Sequence, residues 1–330
     1  MKNNILVCWM GRFGFALLKH LDSNINYEKY NLYWWDIDSS LIWKLKETGK
    51  NNFFQKDFEV SNKVNFISNL EEILPKTNIL IIWIKSDAIN SFLENYKKYI
   101  NNWTILLNVA KWLSPNWKTF SEEIPQILNW KNIQYTVLSW GTKDLDLLEW
   151  NPVWVSIGTK DKEAKKLIYE IFYNEKNFYT QFFDDTKWVE FAGIFKNLGS
   201  ILTWYINWSW KPLGTQTYYL TKFCEEINHI ANSHLQTSSE IFDITSQCRG
   251  NDLFMSAFGQ TRNNEFWNLL GKGIKFEDAH QIMKLQRKTI EWVNTINFLE
   301  KLINTYNINT ARMPIINWII NFRYNKFFEI

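Results

Sequence analysis

Residues 5–14, Ile-Leu-Val-Cys-Trp-Met-Gly-Arg-Phe-Gly, set a short apolar β-run against a turn, and an apolar helix face follows through Leu18 and Leu21. Gly11 lets backbone close on a diphosphate, Gly14 lets the helix pack tightly on its strand, and free N–H groups at the helix start receive the anion. The dinucleotide fingerprint G-x-G-x-x-G needs one more glycine two residues earlier, for the tight turn, and Trp9 stands there. With glycine at 9 the motif is complete. Trp9, Gly11, Arg12, Phe13 and Gly14 then form the candidate cofactor-binding turn.

Leu32-Tyr33-Trp34 reads as the next strand, ending near Asp36. An acidic residue there binds the adenosine ribose hydroxyls and favours NAD; the competing reading makes it an exposed loop aspartate capping a helix at 39–48. Ile105 to Val109 forms another strand, running into Ala110-Lys111-Trp112. A lysine at a strand end before a turn is placed to hold a substrate anion or the nicotinamide region, and the competing reading is an ordinary solvated lysine. The four histidines share no ligand spacing, and Cys8, Cys224 and Cys248 are too scattered for a metal site or a disulfide framework. Neither a metal nor a catalytic histidine is expected.

These residues need a scaffold. Ile79–Ile84 reads as a fully buried parallel strand, and Thr136–Ser139 and Val153–Ile157 complete a half in which strands and helices alternate. After about residue 185 the texture becomes helical. Residues 189–206 place Phe191, Ile194, Phe195, Leu198 and Ile201 on one face, a second helix covers 218–235, and a long one covers 278–306. The expected architecture is α/β: an N-terminal Rossmann-type dinucleotide-binding domain over 1–185, then a mainly α-helical substrate domain over 186–330.

With 37 basic and 34 acidic residues the net charge is +3, which creates no strong field for nucleic acid or an anionic membrane. The first strand begins too early for a secretory signal, and the longest aliphatic run, 79–84, is far below a membrane span. A cytoplasmic protein with no nucleic-acid partner and no transmembrane segment is expected. The 19 Trp outnumber the 12 Gly, although glycine alone ordinarily makes up about 7% of residues. Asn-Trp recurs at 102–103, 116–117, 129–130, 207–208 and 317–318. Those contexts suit Asn-Gly, whose residues tolerate positive φ as Trp does not. Trp112 and Trp140 follow strand-like runs where the chain should turn. A genetic code in which UGA specifies glycine, read as tryptophan, accounts for the pattern. The alternative is a Trp-rich core or aromatic platform, and Trp35 and Trp43 are the candidates for genuine tryptophan.

With glycine restored, the chain resembles the NAD(P)-dependent glycerol-3-phosphate dehydrogenases over essentially its whole length. Ala110-Lys111-Trp112 is similar to the family's T-K-G, Val137–Trp140 to V-L-S-G, and Trp188–Asn197 to G-V-E-x-x-x-x-x-K-N. Residues 204–214 resemble its G-x-x-D-G-x-x-x-x-G loop, Asn251–Leu253 its G-D-L, Thr261–Asn263 its S-R-N and Glu291–Thr295 its E-G-V-x-T. The resemblance implies hydride transfer between dihydroxyacetone phosphate and sn-glycerol 3-phosphate, with NAD or NADP, by a cytoplasmic homodimer that supplies glycerophospholipid synthesis.

The resemblance also implies roles. Lys196 is the catalytic lysine, polarising the ketone and donating the proton, with Lys111 and Asp252 beside it. Lys111, Trp140, Thr142, Asp252, Thr261, Arg262 and Asn263 bind substrate, with Arg262 and Asn263 on its phosphate. Lys111, Asp144, Arg262 and Glu291 reach the cofactor, and the helix after residue 252 adds N–H groups. Gly141 for proline, Asp144 for a small residue, Asn207 for aspartate and Asn264 for arginine depart from the family pattern. They bear on affinity and cofactor choice more than on reaction type. Two other readings compete: another two-domain lysine-dependent dehydrogenase of the β-hydroxyacid type, and a non-catalytic dinucleotide-binding protein. The latter predicts loss of Lys111, Lys196 or Asp252.

Overall fold

The computed structural model describes residues 2–8, 11–50, 54, 56–129, 131–208, 211–234, 239–259, 265–266, 268–269, 272, 274–286 and 292–322. The chain divides into two compact units, Met1–Phe191 and Ala192–Ile330.

In the first unit the apolar runs become strands of one sheet. They are β1 (Asn3–Cys8), β2 (Tyr30–Trp35), β3 (Asn65–Phe66), β4 (Ile79–Ile82), β5 (Ile105–Asn108), β6 (Gln134–Trp140), β7 (Val153–Gly158) and β8 (Phe178–Phe183). The spatial order is β3-β2-β1-β4-β5-β6-β7-β8. Pairing is parallel from β3 through β6, β7 is antiparallel to β6, and β8 is parallel to β7. The chain moves outward from β1 to β3, then returns to start β4 on the other side of β1. That reversal is the switch point beside which doubly wound sheets bind ligands.

Ile79–Ile82 and Ile105–Asn108 are buried at every position, as strands covered on both faces must be. Alternation divides them between two cores. Ile5, Val7, Ile81 and Leu107 pack with Leu17, Leu18 and Leu21 of α1 (Arg12–Asn24), while Leu6, Leu80 and Leu106 face residues such as Phe92, Leu93 and Ile124. The remaining helices are α2 (Ser39–Thr48), α3 (Leu70–Ile73), α4 (Ser86–Tyr96), α5 (Phe120–Ile127), α6 (Asp144–Leu148) and α7 (Lys162–Phe172).

The helix expected at 189–206 runs from Thr186 to Trp208 (α8), and the division between the units falls within it. The second unit continues with α9 (Leu213–His234), α10 (Ser239–Phe242), a π-helical turn at Gln247–Asn251, and α11 (Asp252–Phe258). Helices Phe276–Leu285, Trp292–Thr305 and Pro314–Phe322 follow. The long helix expected at 278–306 is therefore two described helices, the first terminated at Gln286; residues 287–291 lie outside the described ones. Among the described residues no helix is long and apolar enough to cross a membrane.

The tryptophan turns are partly as expected. Trp103 (φ 67°) and Trp117 (φ 60°) hold left-handed backbone, as does Trp150 (φ 61°). Asn317-Trp318 does not form a turn: it lies within helix Pro314–Phe322, where the run of Ile residues drives burial. Trp140 ends β6 as a strand residue.

Candidate active site

In the first unit, Gly11 is the N-cap of α1, extended at φ −115° and ψ −170°, with no side-chain cap on the helix start. Among the described residues, a Cβ at Gly11 would meet nothing nearer than Trp83 Nε1 at 3.7 Å. The start of α1 therefore offers first-turn N–H groups to an anion. Arg12 Nε donates to Asp144 Oδ2 at 2.6 Å, and its guanidinium lies 4.3 Å from the Phe54 ring centroid. The extra carboxylate at 144 is thus the partner of the fingerprint arginine. Asp36 follows β2 and is buried, and its Oδ1 accepts from Asp38 N at 2.8 Å. Asp38 caps α2, accepting from Ser40 N and Leu41 N. The reading of Asp36 as an exposed cap is therefore corrected: the cap sits two residues later. Gly11 opening α1 and a buried acid just after β2 are features that an adenine dinucleotide site uses, and these described residues fit it.

Three rings gather beyond the carboxyl ends of β1, β4 and β6. Phe13 stacks on Trp140 with centroids 4.5 Å apart, and Trp83 lies 5.2 Å from Phe13 and 4.6 Å from Trp140. Lys111, just past β5, donates to the Trp140 carbonyl, and its Nζ stands 4.0 Å from the Trp140 ring centroid. The structure thereby joins Lys111 and Trp140, which sequence motifs place separately. Thr142 is buried, its hydroxyl donating to Lys143 O at 3.4 Å. Gly14 is buried within α1.

In the second unit, Lys196 Nζ donates to Asp252 Oδ1 at 2.8 Å. Asp252 is fully buried, and the Lys196 side chain is 13% exposed. Small residues bring their helices together. A Cβ at Gly199 would fall 2.6 Å from Leu253 Cδ1 and 2.8 Å from the Phe223 ring, so glycine lets α8 approach α9 and α11. At the next residue, Ser200 Oγ donates to Ser256 O at 3.1 Å. The Gly250 backbone passes so close to Ile244 O that a Cβ would lie 1.6 Å away. Buried Arg249 fastens the same turn, donating to Asn228 Oδ1 at 2.7 Å and Phe242 O at 2.6 Å. The expectation that the helix after residue 252 opens with free N–H groups is corrected. The π-helical turn leads directly into it, with Asn251 already αR at φ −58°, ψ −49°.

Sequence reasoning passed over Asn197, which is buried and whose Nδ2 has no acceptor among the described residues. Its place beside Lys196 in the K-N pair was the available signal. Trp9, Thr261, Arg262, Asn263 and Glu291 lie outside the described residues. His20 is a core residue: burial pushes its imidazole down to about 4, and its Nε2 lies 2.7 Å from Phe172 O.

Comparison with known proteins agrees with this fold. The model of the NAD-dependent glycerol-3-phosphate dehydrogenase N-terminus matches residues 4–164, and that of the C-terminus matches 185–327. The NAD(P)+-type glycerol-3-phosphate dehydrogenase of Macrococcus caseolyticus is 22% identical over 94% of this chain and 90% of its own length. That of Malacoplasma penetrans is 24% identical over 97% and 92%. The crystal structure of glycerol-3-phosphate dehydrogenase from Coxiella burnetii superposes with a TM-score of 0.82 at 19% identity, covering 99% of this chain and 96% of that one. The two family models together span nearly the whole sequence, and the chain belongs to the NAD-dependent glycerol-3-phosphate dehydrogenase family.

Proposed function

We propose that this chain interconverts dihydroxyacetone phosphate and sn-glycerol 3-phosphate with NAD or NADP, as a cytoplasmic homodimer feeding glycerophospholipid synthesis. In this reading 1–185 hold the dinucleotide and 186–330 the substrate. The observation that carries the proposal is the Lys196–Asp252 pair, a largely buried ammonium held by a fully buried carboxylate. Bound nicotinamide supplies the hydride chemistry. The Lys196 ammonium polarises the ketone oxygen and gives it a proton as the alkoxide forms. Asp252 fixes the direction of that ammonium. Lys111 holds the substrate together with Trp140 and Thr142, while Thr261, Arg262 and Asn263 take its phosphate. Gly11 and Arg12 face the diphosphate, Asp36 takes the ribose hydroxyls, and Glu291 completes the cofactor site. The test is oxidation of NADH and NADPH with dihydroxyacetone phosphate as acceptor. Turnover that needs the phosphate supports the reading; turnover of 3-hydroxy acids instead would move the chain to the β-hydroxyacid group.

We further infer that glycine is the working residue at many of the tryptophan positions, including Trp9, Trp112 and Trp140. The backbone supports glycine independently of motif matching at Trp103, Trp117 and Trp150. Trp150 N–H donates to Leu147 O and Asn151 N–H to Asp146 O, which is the Schellman termination of α6 with Trp150 in the left-handed slot that glycine normally fills. Helix Trp292–Thr305 ends the same way, with Asn307 at φ 49° in that slot. Trp117 ends a turn in which its N–H donates to Ser114 O and Ser114 N–H donates to Lys118 O, with Trp117 in the left-handed conformation that glycine takes without strain. Peptide mass spectrometry of the protein from its own source distinguishes glycine from tryptophan at each position.

A further inference from the structure

We propose that Glu190 is a positioning residue for Lys111, acting through Tyr135 and Asn108. This rests on the substrate-holding role of Lys111 given above. Glu190 lies on α8 and is buried in the first unit. Its Oε2 accepts from Ser121 N at 3.3 Å and Ser121 Oγ at 3.0 Å, and its Oε1 accepts from Tyr135 OH. Tyr135 OH accepts from Asn108 Nδ2 at 3.0 Å, and Asn108 Oδ1 accepts from Ala110 N at 3.1 Å. Ala110 directly precedes Lys111.

The direction of this chain follows from donor chemistry. In its ionised form, which prevails above pH 7, the Glu190 carboxylate only accepts. Tyr135 must then give its one proton to Glu190 and present a lone pair to Asn108. Asn108 answers with its amide NH2, which turns its carbonyl oxygen onto the Ala110 N–H. The carboxylate at one end thus sets the backbone orientation at the other, where β5 releases the loop bearing Lys111. A buried carboxyl is costly unless it is hydrogen-bonded, and here three donors hold it in one orientation. Burial also pushes the Glu190 carboxyl up to about 7, against the lowering effect of its Tyr135 and Ser121 bonds. The charged and titratable groups around it are Glu122 paired with Lys187 at 2.7 Å, Glu123 on α5, Tyr135 on β6, and Lys160 and Asp161 beside the groove that Tyr135 and Ser121 line.

The test is steady-state kinetics of the full chain with dihydroxyacetone phosphate and NADH, on the parent, Glu190→Gln, Lys111→Met and the double variant. Glutamine brings an NH2 into a pocket of donors and scrambles the chain without emptying it. Glu190→Gln is expected to lower kcat/KM for the ketone about tenfold or more, with the KM for NADH nearly unchanged. In the Lys111→Met background the same change is expected to have no further effect. An equal loss in both backgrounds, or no loss in either, overturns the proposal. Should Glu190→Gln fail to fold, Tyr135→Phe removes the phenol's two bonds, keeps the ring and carries the same comparison. Full turnover by Lys111→Met alone overturns the role of Lys111, and the Glu190 proposal with it, while loss by Lys111→Met with a silent Glu190→Gln overturns only the latter.

Discussion

Lys196 and Asp252, 56 residues apart in sequence, meet in a 2.8 Å ion pair whose carboxylate has no solvent exposure. Asp252→Asn keeps the shape and removes the charge that aims the ammonium. It is expected to lower kcat roughly a hundredfold, with little change in KM for the ketone. Steady-state kinetics check this; a change confined to KM would make Asp252 a substrate-binding group only. Removing the lysine outright leaves a buried carboxylate without its cation, so Lys196→Ala is also expected to lose about 3 kcal/mol of stability.

The 2.6 Å pair between Arg12 and Asp144 predicts a shift in cofactor preference. Asp144 neutralises the one cation in the first turn of α1 and repels added negative charge. Asp144→Ala is expected to lower the KM for NADPH several-fold more than that for NADH. Initial rates with both cofactors decide it, and equal effects on the two would place the Arg12–Asp144 pair against the diphosphate that both cofactors carry, away from the extra phosphate of NADPH.

Left-handed backbone at a β-unbranched but bulky indole costs about 1–3 kcal/mol. Trp150→Gly, at φ 61° in the Schellman slot after α6, is expected to raise stability by about 1 kcal/mol, seen as a higher midpoint in urea. The contrasting change, Gly49→Ala, places a methyl at φ 65° and 2.9 Å from Val60 O and is expected to lower it. A destabilised Trp150→Gly would count against glycine at this position.

How legible these relationships are from sequence depends on distance. Continuous Ile and Leu runs announce β4 and β5 because both faces are covered, and the Gly11–Gly14 spacing announces the turn into α1. Strand β3 is two residues long, and β8 carries Thr180 and Gln181 at its middle, so neither shows an apolar signature. Arg12 with Asp144 and Lys111 with Trp140 are products of sheet order, which local pattern does not encode. The π-helical turn before Asp252 depends on Gly250 passing under Ile244 O, a tertiary contact. Glu190 stands inside a recognised motif, yet only burial reveals its role.

Glu190 also predicts a pH dependence of stability. Its carboxyl is raised from 4.5 to about 7 in the folded protein, so the fold binds that proton more tightly than the unfolded chain. The contribution is fully present below 4.5 and is lost as pH rises through 7, by roughly 3 kcal/mol. Glu190→Gln is expected to be more stable than the parent at pH 8 and to flatten the decline between pH 5 and 8, while reducing activity. Urea melts across that range measure it; an unchanged slope would contradict the buried-carboxyl account.

The most direct test of the central claim is NADH oxidation driven by dihydroxyacetone phosphate, with Lys196→Met beside the parent and glycine at 9, 112 and 140 in both. Lys196 as proton donor predicts turnover by the parent that falls about a thousandfold or more in Lys196→Met, with NADH still bound. Equal turnover by the two, or none from a folded parent that binds NADH, would contradict it.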